Sequence, residues 1–289
     1  MWFPDISLAR EIADKMKIPP RPEVLLAFSQ ETKKADPKIS KIVDTLKSDV
    51  SLCSAILQVV NSPAFGLRSK VTSIDHAFSL LGIARVERVV TSVTMRNAVS
   101  ANLDLGRFWD SASEIAGLCS QLARQISGIS EDDSFTVGLF HDCGMPILMQ
   151  QFADYKDTLR EIAQTDLQPF TLTEDTKYRC NHAIIGFCLC EKWFLPDQIA
   201  RAVLLHHEKF QTFRAENERD EQTLSLLSIL KMAEYISALH RQTLRMQDNL
   251  EWEHIRDEVL GFAHLSELDF DDLKGILLEQ LDEQNNKIN

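Results

Sequence analysis

Five residues of the types that bind transition metals occur in the middle and second half of the chain: His141, Asp142, His182, His206 and His207. Divalent transition metals take neutral imidazole nitrogens and carboxylate oxygens as ligands, and helical proteins collect such ligands from several helices into one core. A His–Asp pair supplies one nitrogen and one carboxylate, which can also bridge two ions. The set is therefore a candidate metal centre.

Each of these residues also has a purely structural interpretation. A histidine beside an apolar helical stripe, such as His182, is commonly a hydrogen-bonded core residue. Tandem histidines at a helix C-terminus suit the negative end of the helix dipole. Asp142, close to Gly144, can accept hydrogen bonds from backbone amides in a turn. From the residues alone, a shared metal site and separate structural roles both stay open.

The segments that carry these residues have the periodicity of helices. In RFWDSASEIAGLCSQLARQI the apolar positions step by three and four, at 108, 112, 115, 119, 122 and 126, which is one continuous helical stripe. Sustained alternation of the kind that marks strands is missing, and the chain has only ten glycines. The sequence predicts an all-α fold, a two-lobed helical bundle.

Capping and breaking residues indicate where some of these helices begin and end. Ser130-x-x-Asp133 predicts the start of the helix that delivers His141, with Gly144 as its stop, and Leu195-Pro196-Asp197 predicts the start of the helix before His206. Thr72-x-x-Asp75 predicts another helix start, with Gly82 as the closing residue.

The predicted domain boundaries follow a polar, glycine-containing stretch at 100–107. We expect an N-terminal helical lobe at 1–105, a second lobe at 106–262, and a C-terminal amphipathic helix and tail at 263–289. That last helix either packs on the second lobe or contacts a partner.

Composition narrows the class of protein. Of 289 residues, 44% are hydrophobic and 26% are charged, which is typical of a soluble globular protein. No apolar run reaches membrane-spanning length and the first residues lack a secretory pattern, so we expect a cytoplasmic protein. The net charge of −12 disfavours nucleic acid as a partner.

The six cysteines are expected to be reduced core residues. Cys180, Cys188 and Cys190 lie near His182 in the sequence, but they lack the C-x2-C spacing of zinc sites.

Several longer segments follow one another in a distinctive order. The Pro20-x-Pro22 start precedes SDVSLCSAILQVVNSPAFG and VTSIDHAFSLLG, and then come FHDCG, NHAIIGFCLCEKWFLPDQIARAVLLHHE and LKMAEYISA. In content and order, residues 17–240 resemble the HDOD domain, the HD-related output domain of bacterial signalling proteins. The resemblance implies that the second lobe has the fold of HD-superfamily proteins, whose active members hydrolyse phosphoesters with metal ions.

The resemblance also assigns residues. It matches His141 and Asp142 to the superfamily's His–Asp pair, and His182 and His206 to its next histidines, with His207 adjacent. It places Ser111 where the superfamily has its first histidine and Glu234 where it has its last aspartate. Met145 stands where catalytic relatives often have lysine. Serine rarely ligates first-row ions and methionine cannot donate a hydrogen bond to a phosphate, so Ser111 and Met145 count as degenerate. Glu234 keeps a carboxylate, one methylene further out, and stays a candidate metal ligand.

Two functions follow from this comparison. The preferred one is a non-catalytic signalling module that binds a partner protein or a small ligand, with Asn61, Ser62 and Phe65 helping the lobes to dock. The alternative is a residual metal-dependent phosphohydrolase that uses one Mn, Fe, Ni or Zn ion. The cyclic di-GMP phosphodiesterases of the superfamily carry a Gly-Tyr-Pro motif after their paired histidines, and HHEKFQTFRAENER has none. Oligomeric state stays open.

Overall fold

A computed structural model of the protein describes residues 7–62, 67, 69–100, 103–126, 128–164, 170–208, 220–243 and 246–288. Within these ranges the chain forms helices and no strand, which confirms the all-α prediction. The helices are α1 Ser7–Lys15, α2 Glu23–Thr32, α3 Ile39–Lys47, α4 Val50–Val60, α5 Ile74–Ser100, α6 Gly106–Gln125, α7 Glu131–Phe140, α8 Gly144–Gln151, α9 Tyr155–Gln164, α10 Phe170–Tyr178, α11 His182–Lys192, α12 Asp197–Leu205, α13 Glu221–His240, α14 Met246–Phe262 and α15 Glu267–Ile288. None of the described helices is long and apolar enough to cross a membrane.

The helices fall into two compact units. The smaller unit is Pro20–Ala101, and the larger unit joins Met1–Pro19 to Asn102–Asn289. The sequence instead assigned the first 19 residues to the N-terminal lobe and set the C-terminal helix apart. The contacts place both segments in the larger unit.

Residues 7–19 join the larger unit through the end of α11. Lys192 Nζ donates a hydrogen bond to the Ile18 carbonyl at 2.7 Å, and Trp193 Nε1 donates one to the Pro19 carbonyl at 3.1 Å. Arg10 of α1 forms an ion pair with Glu191. These bonds lie outside any periodic pattern, so this long-range attachment could not be predicted from the sequence.

The smaller unit contains α2 to α5 around an apolar core that includes Phe28, Leu46 and Ile56. Asp49 caps α4, because its carboxylate accepts hydrogen bonds from the amides of Ser51 and Leu52. Gly82 has φ 75° and breaks α5 into two helical segments, so the predicted closure at this residue is confirmed.

Of the three residues expected to help dock the lobes, Asn61 makes its hydrogen bonds inside the smaller unit. Its amide nitrogen donates to the carbonyls of Leu57 and Val71, both at 2.8 Å, and its oxygen accepts from the Val71 amide at 2.7 Å. Ser62 donates its backbone amide to Val59, and Phe65 lies outside the described residues. The bonds of Asn61 stabilise the return of the chain after α4, and the docking role stays a prediction.

In the larger unit, α6 buries most of the stripe read from the sequence. Five of its six positions are buried, namely Ala112, Ile115, Cys119, Leu122 and Ile126. Helix α7 packs closely on this stripe, since a Cβ at Gly138 would lie 2.8 Å from Ala116 Cα. Ser130 caps α7 as predicted, through a hydrogen bond from the Asp133 amide to its hydroxyl.

The C-terminal helix α15 is only partly buried. Phe270, Leu277 and Leu281 are buried in the larger unit, and Phe270 lies 5.1 Å from Trp252 of α14 between ring centroids. Leu268 and Ile276, which the sequence counted in the same apolar set, are 77% and 52% exposed. The helix therefore packs on its own unit through part of its apolar face.

Candidate metal centre

The His141–Asp142 pair lies in a turn between two close helix contacts. The chain leaves α7 at Phe140 and enters α8 at Gly144. A Cβ at Gly144 would lie 2.0 Å from the His182 carbonyl oxygen, so only glycine permits this approach to the start of α11. Gly138 on one side of the pair and Gly144 on the other thus fix it against α6 and α11.

Three histidine rings each donate a hydrogen bond from Nδ1 to an acceptor within the protein. His141 Nδ1 donates to the Gly138 carbonyl at 2.7 Å, and His206 Nδ1 donates to the Val203 carbonyl at 2.6 Å. His182 Nδ1 donates to the Glu174 carboxylate at 2.7 Å. Because these acceptors require a proton on Nδ1, the neutral rings present the Nε2 lone pair. Metal-binding histidines are oriented in the same way.

The Nε2 atoms of His182, His206 and His207 converge with an oxygen of Asp142, and one ligand atom from each residue lies within 4.8 Å of every other. We call these four residues the metal cluster. His182 Nε2 lies 3.0 Å from His207 Nε2 and 3.4 Å from His206 Nε2. Asp142 Oδ1 lies 3.3 Å from His182 Nε2 and 3.4 Å from His206 Nε2.

These spacings fit an ion. Ligand atoms about 2.05 Å from a metal lie about 3.3 Å apart in a tetrahedron and about 2.9 Å apart at right angles. His182 Nε2, His206 Nε2 and Asp142 Oδ1 are all acceptors, so without a proton or a cation they repel one another. The side chains of His182 and His206 are fully buried, so their ring nitrogens are shielded from solvent. The residues present therefore fit a divalent transition metal.

A second group of ligand atoms adjoins the metal cluster, and we call it the His141 side. Asp142 Oδ2 lies 3.1 Å from His141 Nε2, and Glu234 Oε1 lies 3.9 Å from the same nitrogen. Helix α13 supplies Glu234, whose side chain is 24% exposed, and Asp142 is 25% exposed. Solvent thus reaches the carboxylates, whereas the rings of His141, His182 and His206 are buried.

The electrostatics of the centre favour positive charge. Burial alone would lower the pKa of His182, but the Glu174 and Asp142 carboxylates outweigh it and raise that pKa to about 10. Burial likewise opposes ionisation of Asp142, yet the three histidines around it bring its pKa well below the usual range. Burial and the neighbouring His206 and His182 lower the pKa of His207. The Glu174 and Asp142 carboxylates thus favour a positive charge at His182, whereas His207 stays neutral and keeps a lone pair to offer.

Sequence reasoning missed the residues that support His182. Glu174 of α10 is fully buried and accepts from both the backbone amide of His182, at 3.1 Å, and its ring. Tyr155 of α9 donates its hydroxyl to the same carboxylate. Phe170, one turn before Glu174, stacks on the His207 ring at 5.7 Å between centroids. No spacing in the sequence relates α9 or α10 to His182, so these supporting residues could be identified only from the structure.

Ser111 lies in α6 about one turn before Glu114, which pairs with Arg241 at 2.9 Å, and its match to the superfamily's first histidine stays a prediction. Cys119, also in α6, is buried, which raises the pKa of its thiol, and the charge of Glu234 adds to that rise.

Met145 and the cysteines contribute no ligand atom to the cluster. Met145 is buried in the first turn of α8. Among the described residues every cysteine is a free thiol and none belongs to the metal cluster. Burial raises the pKa of Cys180 to about 12 and that of Cys188 to about 11, so both thiols stay neutral.

Comparison with known proteins gives the centre its context. The HDOD domain model matches residues 18–209. A curated relative, an uncharacterized protein of Treponema pallidum, is 27% identical over 204 residues, which are 69% of this chain and 40% of that protein. The chain thus spans 40% of the length of this relative.

Solved structures share the fold. An HDOD domain protein of Geobacter sulfurreducens superposes with a TM-score of 0.73 at 19% identity, over 98% of this chain and 95% of that one. A Shewanella amazonensis protein, provisionally described as a phosphohydrolase, gives 0.68 at 20% identity over 93% of both chains. A Marinobacter aquaeolei protein, provisionally described as a signal transduction protein, gives 0.73 at 17% identity over 94% of this chain and 59% of that one. With the family model covering most of its length, the chain belongs to the HDOD domain family.

Proposed function

We propose that this HDOD protein is a regulatory module that holds one divalent transition-metal ion at Asp142, His182, His206 and His207. The observation that carries the proposal is the convergence of three imidazole Nε2 atoms and one carboxylate oxygen, with neighbouring spacings of 3.0 to 3.4 Å. The Nδ1 bonds of His182 and His206 support it, since these rings cannot turn their lone pairs elsewhere.

The donor set favours some ions over others. Imidazole suits Zn, Ni and Fe, and carboxylate also suits Mn, whereas Mg and Ca prefer a shell of oxygens. Glu174 adds to the strength of the site, because a carboxylate that accepts from a ligating ring raises the basicity of its other nitrogen.

Metal analysis tests the proposal. The purified chain is freed of metal with a chelator, reconstituted with Mn, Fe, Ni or Zn, desalted and analysed by plasma mass spectrometry. We expect one ion per chain in the wild type and less than about a tenth in His182→Ala. His76→Ala is the matched control, because His76 is exposed in the smaller unit. A wild-type chain that retains none of these ions would overturn the proposal.

The regulatory part of the proposal concerns partners. The Marinobacter relative supports a role in signalling, and we expect a cytoplasmic signalling protein or a small ligand as the partner. Binding of the metal ion would then change the state of the protein that the partner recognises. Hydrogen exchange of α10, which supplies both Phe170 and Glu174, should slow on metal loading, and unchanged exchange there would argue against a regulatory use of the ion.

A second candidate is a metal-dependent phosphohydrolase, and the exposure of Asp142 and Glu234 favours it, because a substrate can reach these carboxylates. A bound ion would polarise a phosphoryl oxygen and lower the pKa of a bound water. Bis(p-nitrophenyl) phosphate is a suitable test substrate. Metal-dependent turnover that Asp142→Ala abolishes and His76→Ala preserves would favour this candidate over the regulatory one.

A further inference from the structure

The His141 side has the composition of a second ion site. It offers an imidazole nitrogen and two carboxylate oxygens, from His141, Asp142 and Glu234. Asp142 connects it to the metal cluster, because its Oδ1 faces the cluster and its Oδ2 faces His141. A carboxylate in this position can bridge two ions. The residues alone therefore leave the number of ions open.

A lysine ammonium already stands beside this group. Lys231 Nζ lies 3.0 Å from Glu234 Oε2 and 3.7 Å from Glu251 Oε1, and its side chain is only 12% exposed. Lys231 and Glu234 are three residues apart in α13, so the helix itself holds the two charges side by side. The other oxygen of Glu234 is the one nearest His141 Nε2.

We infer that the ammonium of Lys231 stands in for a second metal ion, so that the larger unit binds one divalent ion per chain. The inference rests on the proposed metal site and goes beyond it by naming Lys231 as the residue that keeps a second ion out. In two-ion centres the ions lie about 3.5–4 Å apart and share carboxylate ligands. Here the ammonium neutralises Glu234, the carboxylate that a second ion needs, and repels that ion directly.

The spacing on the two sides of Asp142 agrees with this division. Around the metal cluster, neighbouring ligand atoms are 3.0 to 3.4 Å apart. On the His141 side, Glu234 Oε1 is 3.9 Å from His141 Nε2, wider than these neighbouring spacings, and the other oxygen of Glu234 lies 3.0 Å from Lys231 Nζ.

The test compares ion stoichiometry in Lys231→Met with that in the wild type. Methionine keeps an unbranched side chain one atom shorter than lysine and removes the ammonium, so Glu234 becomes free to bind a metal. Lys274→Met is the control, since Lys274 forms the same kind of ion pair with a carboxylate three residues away, that of Asp271 on α15. Metal-free proteins are titrated with Mn, the ion-to-chain ratio is measured after desalting, and electron paramagnetic resonance distinguishes single from coupled ions.

We expect one ion per chain in the wild type and in Lys274→Met, and two ions with a coupled spectrum in Lys231→Met. If Lys231→Met does not fold, Lys231→Gln carries the same expectation. Two ions in the wild type, or one ion in a folded variant without the ammonium, would overturn the inference while leaving the proposed metal site intact. A wild type without any ion would overturn the proposed function itself.

Discussion

Glu31 in the smaller unit and Glu174 in the larger unit are both buried glutamates, with 3% and 0% of their surfaces exposed. Buried carboxylates need partners. The partners of Glu31 are Lys34 Nζ at 2.6 Å, Lys41 Nζ at 3.3 Å and the Lys38 amide at 3.2 Å, and both lysine side chains are at least half exposed. Its bonds hold together the turn between α2 and α3.

The partners of Glu174 lie inside the protein instead. They are the Tyr155 hydroxyl and the amide and ring of His182, and His182 directs its other nitrogen at the metal cluster. The difference teaches how to separate structural from functional polar residues in this chain. A buried carboxylate whose donors reach out to solvent stabilises a turn, whereas one whose donors point inward orients a ligand.

The largest expected effect tests how rigidly the larger unit orients His182. Gly144→Ala would place a Cβ 2.0 Å from the His182 carbonyl oxygen, which is backbone and cannot turn aside. We expect a loss of about 3 kcal/mol or more in the free energy of unfolding. Urea denaturation of the metal-free protein measures it.

Gly117→Ala is the control for this substitution. A Cβ at Gly117, inside α6, would meet nothing within 4 Å. Alanine should therefore be neutral or stabilise the helix by up to about 1 kcal/mol. If Gly144→Ala instead unfolds like Gly117→Ala and binds metal normally, the close contact between α8 and α11 does not orient the ring.

The next prediction exchanges the two glutamates for glutamine. Glu174→Gln keeps the shape of the side chain but weakens its hold on the His182 ring, and we expect metal affinity to fall about 10- to 100-fold. Glu31→Gln should leave metal affinity unchanged. Competition with a chromophoric chelator gives both affinities. Equal affinities in the two variants would erase the contrast between the units.

A smaller effect is expected one bond further out. Tyr155→Phe removes the hydroxyl that donates to Glu174, a hydrogen bond worth about 1 kcal/mol, and so should weaken metal binding about fivefold. Tyr235→Phe is the control, since the Tyr235 ring stacks on Trp252. The same chelator competition measures both affinities. Equal metal affinities in Tyr155→Phe and Tyr235→Phe would mean that the support of the His182 ring ends at Glu174 and does not extend to Tyr155.

The contrast between the units also explains what the sequence could predict. The histidines and Asp142 were predictable because each side chain is a metal ligand and because the order of segments resembles a known family. Ser130 and Gly82 were predictable because caps and breaks are local. Glu174 was not, since its role depends on α10 meeting α11, and neither periodicity nor spacing encodes that contact.

Ser111 shows the complementary limit. Matching it to a family position requires the pairing of α6 with α13, which the sequence does not give. In the structure that pairing sets Glu114 against Arg241, and the family match of Ser111 stays a prediction.

The smallest expected effect concerns pH in the smaller unit. The hydrogen bond from Lys34 is the main cause that lowers the pKa of Glu31 to about 2, and the Lys38 amide adds to it. A carboxyl with a depressed pKa in the folded state stabilises that state above its ordinary pKa, near 4.5, and loses this effect as the pH falls toward 2.

Hydrogen exchange of α2 and α3 in the full chain reports local stability. The amides of these helices should exchange more slowly in the wild type than in Glu31→Gln, and this difference should shrink steadily from pH 5 to pH 2. A difference that stays constant over this range would mean that the turn does not depend on the charge of Glu31, and the contrast with Glu174 would then rest on geometry alone.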